Sequence, residues 1–195
     1  LTCPADGSLP LYIPTIHHRS SRIGQLKTPW AAIPLYMLLR QRRKATYGPI
    51  AKDGDTLRHA FGLDEKTKII VVSPAQDQYL EQFWRHHQTA DVVQALLRLN
   101  IQAITVPNFS FFLDAPLLHS LFNRCRMLRV AERFSAAGLP TIPHLNAITE
   151  SHWRFWEQFL RDQSDVRMIC KEFQTGLHSP LNRENAFQRL IQLQD

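Results

Sequence analysis

Four side chains in this sequence can move a proton, form an imine or hold an ion, and each closely follows an apolar run: Asp114, His144, Lys171 and Glu172. His144 or Glu172 would serve as general acid or base. Lys171 would anchor an anion or act as a Schiff-base amine. With His144, the two carboxylates could hold a divalent cation, though the chain has no HxH or HExxH spacing. Around them lie groups suited to orienting a substrate: Asn108, Ser110, Asn146 and Gln174, with Asn123 and Arg124 further on. Each also has a structural reading. Asp114, ahead of Ala115-Pro116, would cap a helix, as would Asp77. Asn108 after Pro107 would set a turn. His144 would sit buried and hydrogen-bonded, and Lys171-Glu172 would form an ion pair at a strand end.

The elements that must position these groups repeat one pattern. Lys68–Ser73, Ile101–Val106, Pro140–Leu145 and Val166–Lys171 read as strands. The first is a continuous β-branched run, as in a strand buried on both faces. Helices are predicted over Asp77–His87, over Ala90–Leu99 behind Thr89, over Pro116–Ala137 ended by Gly138, over a stretch reaching Asp162 behind Thr149, and finally behind Asn182. Strand starts near 68, 101, 140 and 166 lie 33, 39 and 26 residues apart. Crossovers of that length make parallel, right-handed sheets. The expected fold is therefore α/β with a parallel sheet, partial or small TIM-barrel-like, with an open doubly wound sheet as the alternative. In either, the polar residues gather where the strands end.

Ahead of these units, residues 1–28 read as an extended N-terminal segment, with 29–195 a single α/β domain. Trp30–Lys44 is predicted as a helix entered through Thr28-Pro29, and Asp55–Phe61 as a short helix capped by Asp55. The opening Leu1-Thr2-Cys3-Pro4 has neither an initiator Met nor a signal-peptide core, and reads as a cut or processed end.

Composition narrows the classes. The 195 residues carry 23 Lys+Arg against 17 Asp+Glu, a net charge of +6 that favours anionic partners such as phosphates or nucleic acid. No apolar run nears the roughly 20 residues of a membrane span. Three scattered cysteines, Cys125 and Cys170 among apolar neighbours, read as reduced core thiols of a cytoplasmic protein. There is no GxGxxG, no Walker lysine loop and no GxSxG elbow, which argues against dinucleotide, P-loop and α/β-hydrolase chemistry. The run Arg40, Arg42, Arg43 and Lys44, with Arg126 on the long helix, could track a phosphate backbone. His119, Asn123 and Arg126 form a polar stripe on that helix.

Pro107-Asn108-Phe109-Ser110, Asp114-Ala115-Pro116, Asn123-Arg124 and Gly138-Leu139-Pro140-Thr141-Ile142-Pro143 together resemble a bacterial and phage family catalogued as a domain of unknown function (four-four-one-seven). Its run reads DFS, D-P, N-x-R and G-x-x-x-I-P, and Asn108 stands where the family has an acid. The resemblance implies a phage or mobile-element setting, with Asn108, Ser110, Asp114, Asn123 and Arg124 forming one unit. It carries no activity.

Three functions are consistent with these residues. One is an enzyme of the hydrolase or group-transfer class acting on an anionic substrate, a nucleotide or nucleic acid. There, His144 or Glu172 is the acid/base, Asn108 and Gln174 orient, and Lys171 and Arg124 neutralise charge. The second is a non-catalytic nucleic-acid-binding module. The third is an assembly domain whose further copies or partner chains complete a half-barrel.

Overall fold

In the computed structural model the described residues are 9–17, 24–41, 47–88, 91–173 and 179–193, less the side chains of Arg40 and Gln41. They form a mixed α/β fold around a four-stranded parallel sheet. The strands are β1 (Trp30–Pro34), β4 (Lys68–Val72), β5 (Ala103–Thr105) and β6 (Thr141–Ile142), side by side in that order. Single parallel bridges extend the sheet at both margins, Thr15 to Ala32 and His144 to Cys170. A separate antiparallel pair joins β2 (Leu39–Gln41) to β3 (Tyr47–Pro49). The order never reverses along the chain.

β1 corrects the helix expected over Trp30–Lys44. Pro34 lacks an N–H and drives Ile33 towards extended backbone, so a helix could not run through it cheaply. Ala31, Ala32 and Ile33 are buried on alternating sides, between the Thr15 segment and β4. Among the described residues of that span only Leu35–Leu38, α1, is helical, and β2 follows at once. The expected fourth strand, Val166–Lys171, also shrinks, to the bridge at Cys170.

Strand alternation gives the sheet two different faces. Ile69, Val71, Ile104 and Val106 join the large core with helical residues such as Leu80, Leu96, Val130, Phe134 and Trp156. Ile70, Ala103 and Ile142 form a second, small cluster with Ile13, Trp30, Val72, Met168 and Cys170, none of them helical. The helices thus pack on one face. Burying Val, Leu, Ile or Phe there stabilises the fold by about 1.5–3 kcal/mol per side chain before entropy is counted.

The helices mostly follow their predicted spans: α3 (Asp77–His86), α4 (Val92–Leu97), α5 (Leu117–Ala136), α6 (Glu150–Asp162) and α7 (Pro180–Gln192). Thr149 caps α6 as expected, accepting from the His152 N–H at 3.3 Å. Gly138, at φ +84°, ends α5: its N–H bonds the Ser135 carbonyl while Leu139 N–H bonds that of Phe134. That paired closure needs a left-handed residue. The cap of α2 (Gly54–Ala60) is Asp53 rather than Asp55, accepting from Thr56 N–H at 2.8 Å. Asp114 and Asp77 are not caps either: Pro116 begins α5 with no side-chain bond, and Asp77 lies inside the first turn of α3. Asn182 lies within α7, which Ser179 precedes. Among the described residues no helix is long and apolar enough to cross a membrane.

Candidate functional site

All four sheet strands run the same way, so the loops after them share one rim. Ser73 and Thr105 lock its floor. The Ser73 N–H donates to Thr105 Oγ1 at 2.8 Å, and the Ser73 hydroxyl donates to the Thr105 carbonyl. Above them Asn108 joins two loops: its Oδ1 accepts from Ala75 N–H at 3.4 Å, and its amide nitrogen donates to Glu172 Oε2 at 3.4 Å. Lys171, next in the chain, donates to the Leu145 carbonyl at 3.5 Å and lies 5.3 Å above the Trp153 ring. Amide, carboxylate and ammonium thus meet at one edge, delivered by the loop after β5 and the chain just past the Cys170 bridge.

Burial sets the electrostatics here. His144 is 3% exposed, and both ring nitrogens are buried without a hydrogen-bond partner among the described residues. Burial, aided by the Lys171 charge, lowers its pKa to about 3. The imidazole is therefore neutral and cannot act as the general acid near pH 7. Burial likewise lowers the Lys171 pKa, against the opposing pull of Glu172 and Cys170. It raises that of Cys170 to about 12, opposed by the Thr105 hydroxyl and by Lys171. Beside His144 is a void of about 10 Å³ walled by Val106, Met127, Leu128, Ala131, Pro143, Trp156 and Phe159. That is room for one water at most.

A second polar cluster lies between α3 and α5. Arg126, 5% exposed, donates two hydrogen bonds to Glu81, at 2.7 and 2.9 Å, and one to Asn123 Oδ1 at 3.1 Å. Its guanidinium stacks 3.8 Å from Phe109 and 4.8 Å from Trp84. The Asn123 amide donates to the Ser110 carbonyl at 2.8 Å, and the Ser110 hydroxyl to Asp77 at 2.7 Å. Arg126 is thus occupied inside the protein and not presented to a phosphate backbone. Arg124 points the other way along α5, towards α6, 4.1 Å from the Phe155 ring. It too is buried, which lowers its pKa, and its Nε has no partner among the described residues. The Asn146 amide ties two loops together by donating to the Phe109 carbonyl at 2.7 Å.

The rim therefore gathers Asn108, Lys171 and Glu172 with His144 beneath. Ser110 and Asn123 belong to the neighbouring cluster, and Arg124 to the α5–α6 seam. Asp114 is exposed on the loop before α5, with no hydrogen bond or ion pair among the described residues. The cation-binding trio of Asp114, His144 and Glu172 does not form: among the described residues no three His, Cys, Asp or Glu side chains come together as ligands. Arg42, Arg43, Lys44, Gln174 and the Arg40 side chain lie outside the described residues. Cys125, expected in the core, is exposed.

Sequence reasoning missed Ser73, Thr105 and Glu81. The first two close predicted apolar runs, where a hydroxyl can serve the strand-end backbone. Glu81 had a signal as well, one turn after Asp77 on the same helix. A hollow of about 440 Å³ follows the outside of α3, lined by Gln78, Tyr79, Glu81, Gln82, Arg85 and His86, and includes none of the rim residues. No protein-family model, curated protein or solved structure matches the chain.

Proposed function

We propose that the protein is an enzyme of the hydrolase or group-transfer class, acting on an anionic substrate such as a nucleotide at the strand-end rim. The observation that carries this reading is the Asn108–Glu172 hydrogen bond with Lys171 alongside. An amide, a carboxylate and a half-desolvated ammonium at one edge are the parts needed to orient an anion and move a proton. Glu172 is the acid/base, Lys171 neutralises charge, and Asn108 sets the carboxylate's orientation. His144, neutral and beneath the rim, acts on the site through Lys171 and not by protonation. The unreversed strand order and one-sided helices support the finer fold reading too: an arc of a (β/α) barrel, with the small apolar cluster on its inner face.

Titration of inorganic phosphate and the common nucleoside monophosphates, followed by amide chemical shifts, tests the site. Lys171→Met is expected to weaken binding at least tenfold without unfolding the protein. Glu172→Gln is expected to keep binding while abolishing turnover across a panel of phosphate esters. Binding of single-stranded nucleic acid that falls steeply with salt and survives both substitutions would replace this reading with a non-catalytic nucleic-acid-binding module.

A further inference from the structure

The loop before α5 and the first turns of that helix expose an unusual run of large apolar side chains: Phe112, Leu113, Leu117, Leu118, Leu121 and Phe122. Leu118 is 74% exposed and Phe122 56%. Phe112 packs 5.6 Å from His119, so the loop and helix parts are continuous. Together they make one exposed apolar patch, of the kind that marks an interaction surface on a monomer. The inward side of the same helix is already used, by Asn123, Arg124, Arg126, Met127, Val130 and Phe134.

We propose that a second copy of this chain covers the patch, in an antiparallel two-fold pairing of the two α5 helices. Leu118, Leu121, Phe122 and the exposed Cys125 follow the i, i+3, i+4, i+7 spacing of a helix–helix seam. A two-fold axis between Leu121 and Phe122 sets Leu121 against Phe122 and Leu118 against Cys125. It also turns the end of the stripe that follows Asp114, a loop residue exposed and without an ion pair among the described residues, towards the end of the second helix that carries Arg129. Among the described residues Arg129 is held in its own chain only by an exposed i, i+3 pair with Glu132 at 3.6 Å, which is worth little. The ends of the stripe thus carry opposite charges in the arrangement an isologous interface requires. A lipid surface fits less well. Arg124 and Arg126 turn inward, so the patch lacks the flanking cationic rows that hold a helix on anionic bilayers.

The register makes the test specific. Within one chain, residues 118 and 125 are two helical turns apart, about 10 Å, too far for a disulfide. In a Cys3→Ser background, Leu118→Cys is expected to give an oxidised dimer whose cross-linked peptide joins Cys125 to position 118. Glu132→Cys, which lies away from Cys125 in this register, is expected to give none. By sedimentation, the unmodified protein should run at twice its monomer mass. Leu121→Asp combined with Phe122→Ser should run at the monomer mass with an unchanged far-UV spectrum. A monomer throughout a concentration series, a dimer that survives the double substitution, or a monomer that pellets with phosphatidylserine vesicles would each overturn the proposal.

Discussion

The most consequential single side chain is His144, whose burial decides its chemistry. An unfolded chain protonates this imidazole near pH 6.5, whereas the folded protein resists until about pH 3. Between those values the unfolded state binds the extra proton, so stability is full above pH 6.5 and declines as the pH falls. The slope from this group alone is about 1.4 kcal/mol per pH unit. His144→Leu should flatten that part of the loss, seen by comparing urea unfolding at pH 7 and pH 5. His87 and His152, also lowered by burial, leave a residual slope in both proteins. The sequence marked His144 as chemically able but could not give its depth, because a strand-end residue is equally compatible with rim and core. Arg126 shows the same limit. Its spacing put it among basic residues of a long helix, yet one helical turn decides whether a guanidinium faces solvent or Glu81.

At the scale of elements, the helices were legible because their ends carry local chemistry: Thr149 before α6, and Gly138 after α5. The strand in the middle of the repeat, β4, was equally plain from its β-branched run. What failed was β1, where a helix-like entry at Thr28-Pro29 concealed a segment whose extended form is set by its neighbours, β4 and Thr15. Long-range pairing leaves no mark on local spacing. The α2 cap was missed by two residues, and the true start places Gly54 where an added Cβ would force its neighbours to shift. Alanine is normally about 1 kcal/mol better than glycine within a helix. Here a Cβ would lie 2.8 Å from the Leu99 carbonyl oxygen and 2.8 Å from Arg58 Nη1. Arg58 is itself buried, bonding the carbonyls of Gly54 and Thr67 at 3.0 Å. Gly54→Ala is therefore expected to destabilise the protein by roughly 1–3 kcal/mol, measured by urea denaturation.

Across the whole molecule, the parallel α/β class followed from the β–α–β spacing, whereas the extra leading strand and the thin last one did not. The sheet is most secure at β4, paired on both sides with β1 and β5, and thinnest at its margins, Thr15 and Cys170, each held by a single bridge. Hydrogen exchange should accordingly be slowest at Ile70 and Val71 and much faster at Cys170, as read by mass spectrometry.

Because each sheet strand lies beside the one before it in the chain, its docking partner has always left the ribosome first. No later segment has to wedge between two strands already joined. The sheet can therefore extend in one direction during synthesis, and its growing edge is always the newest strand. A ribosome that paused once β5 had emerged would hold out the unpaired backbone of Ala103–Thr105, a stage at which the nascent protein is open to mispairing.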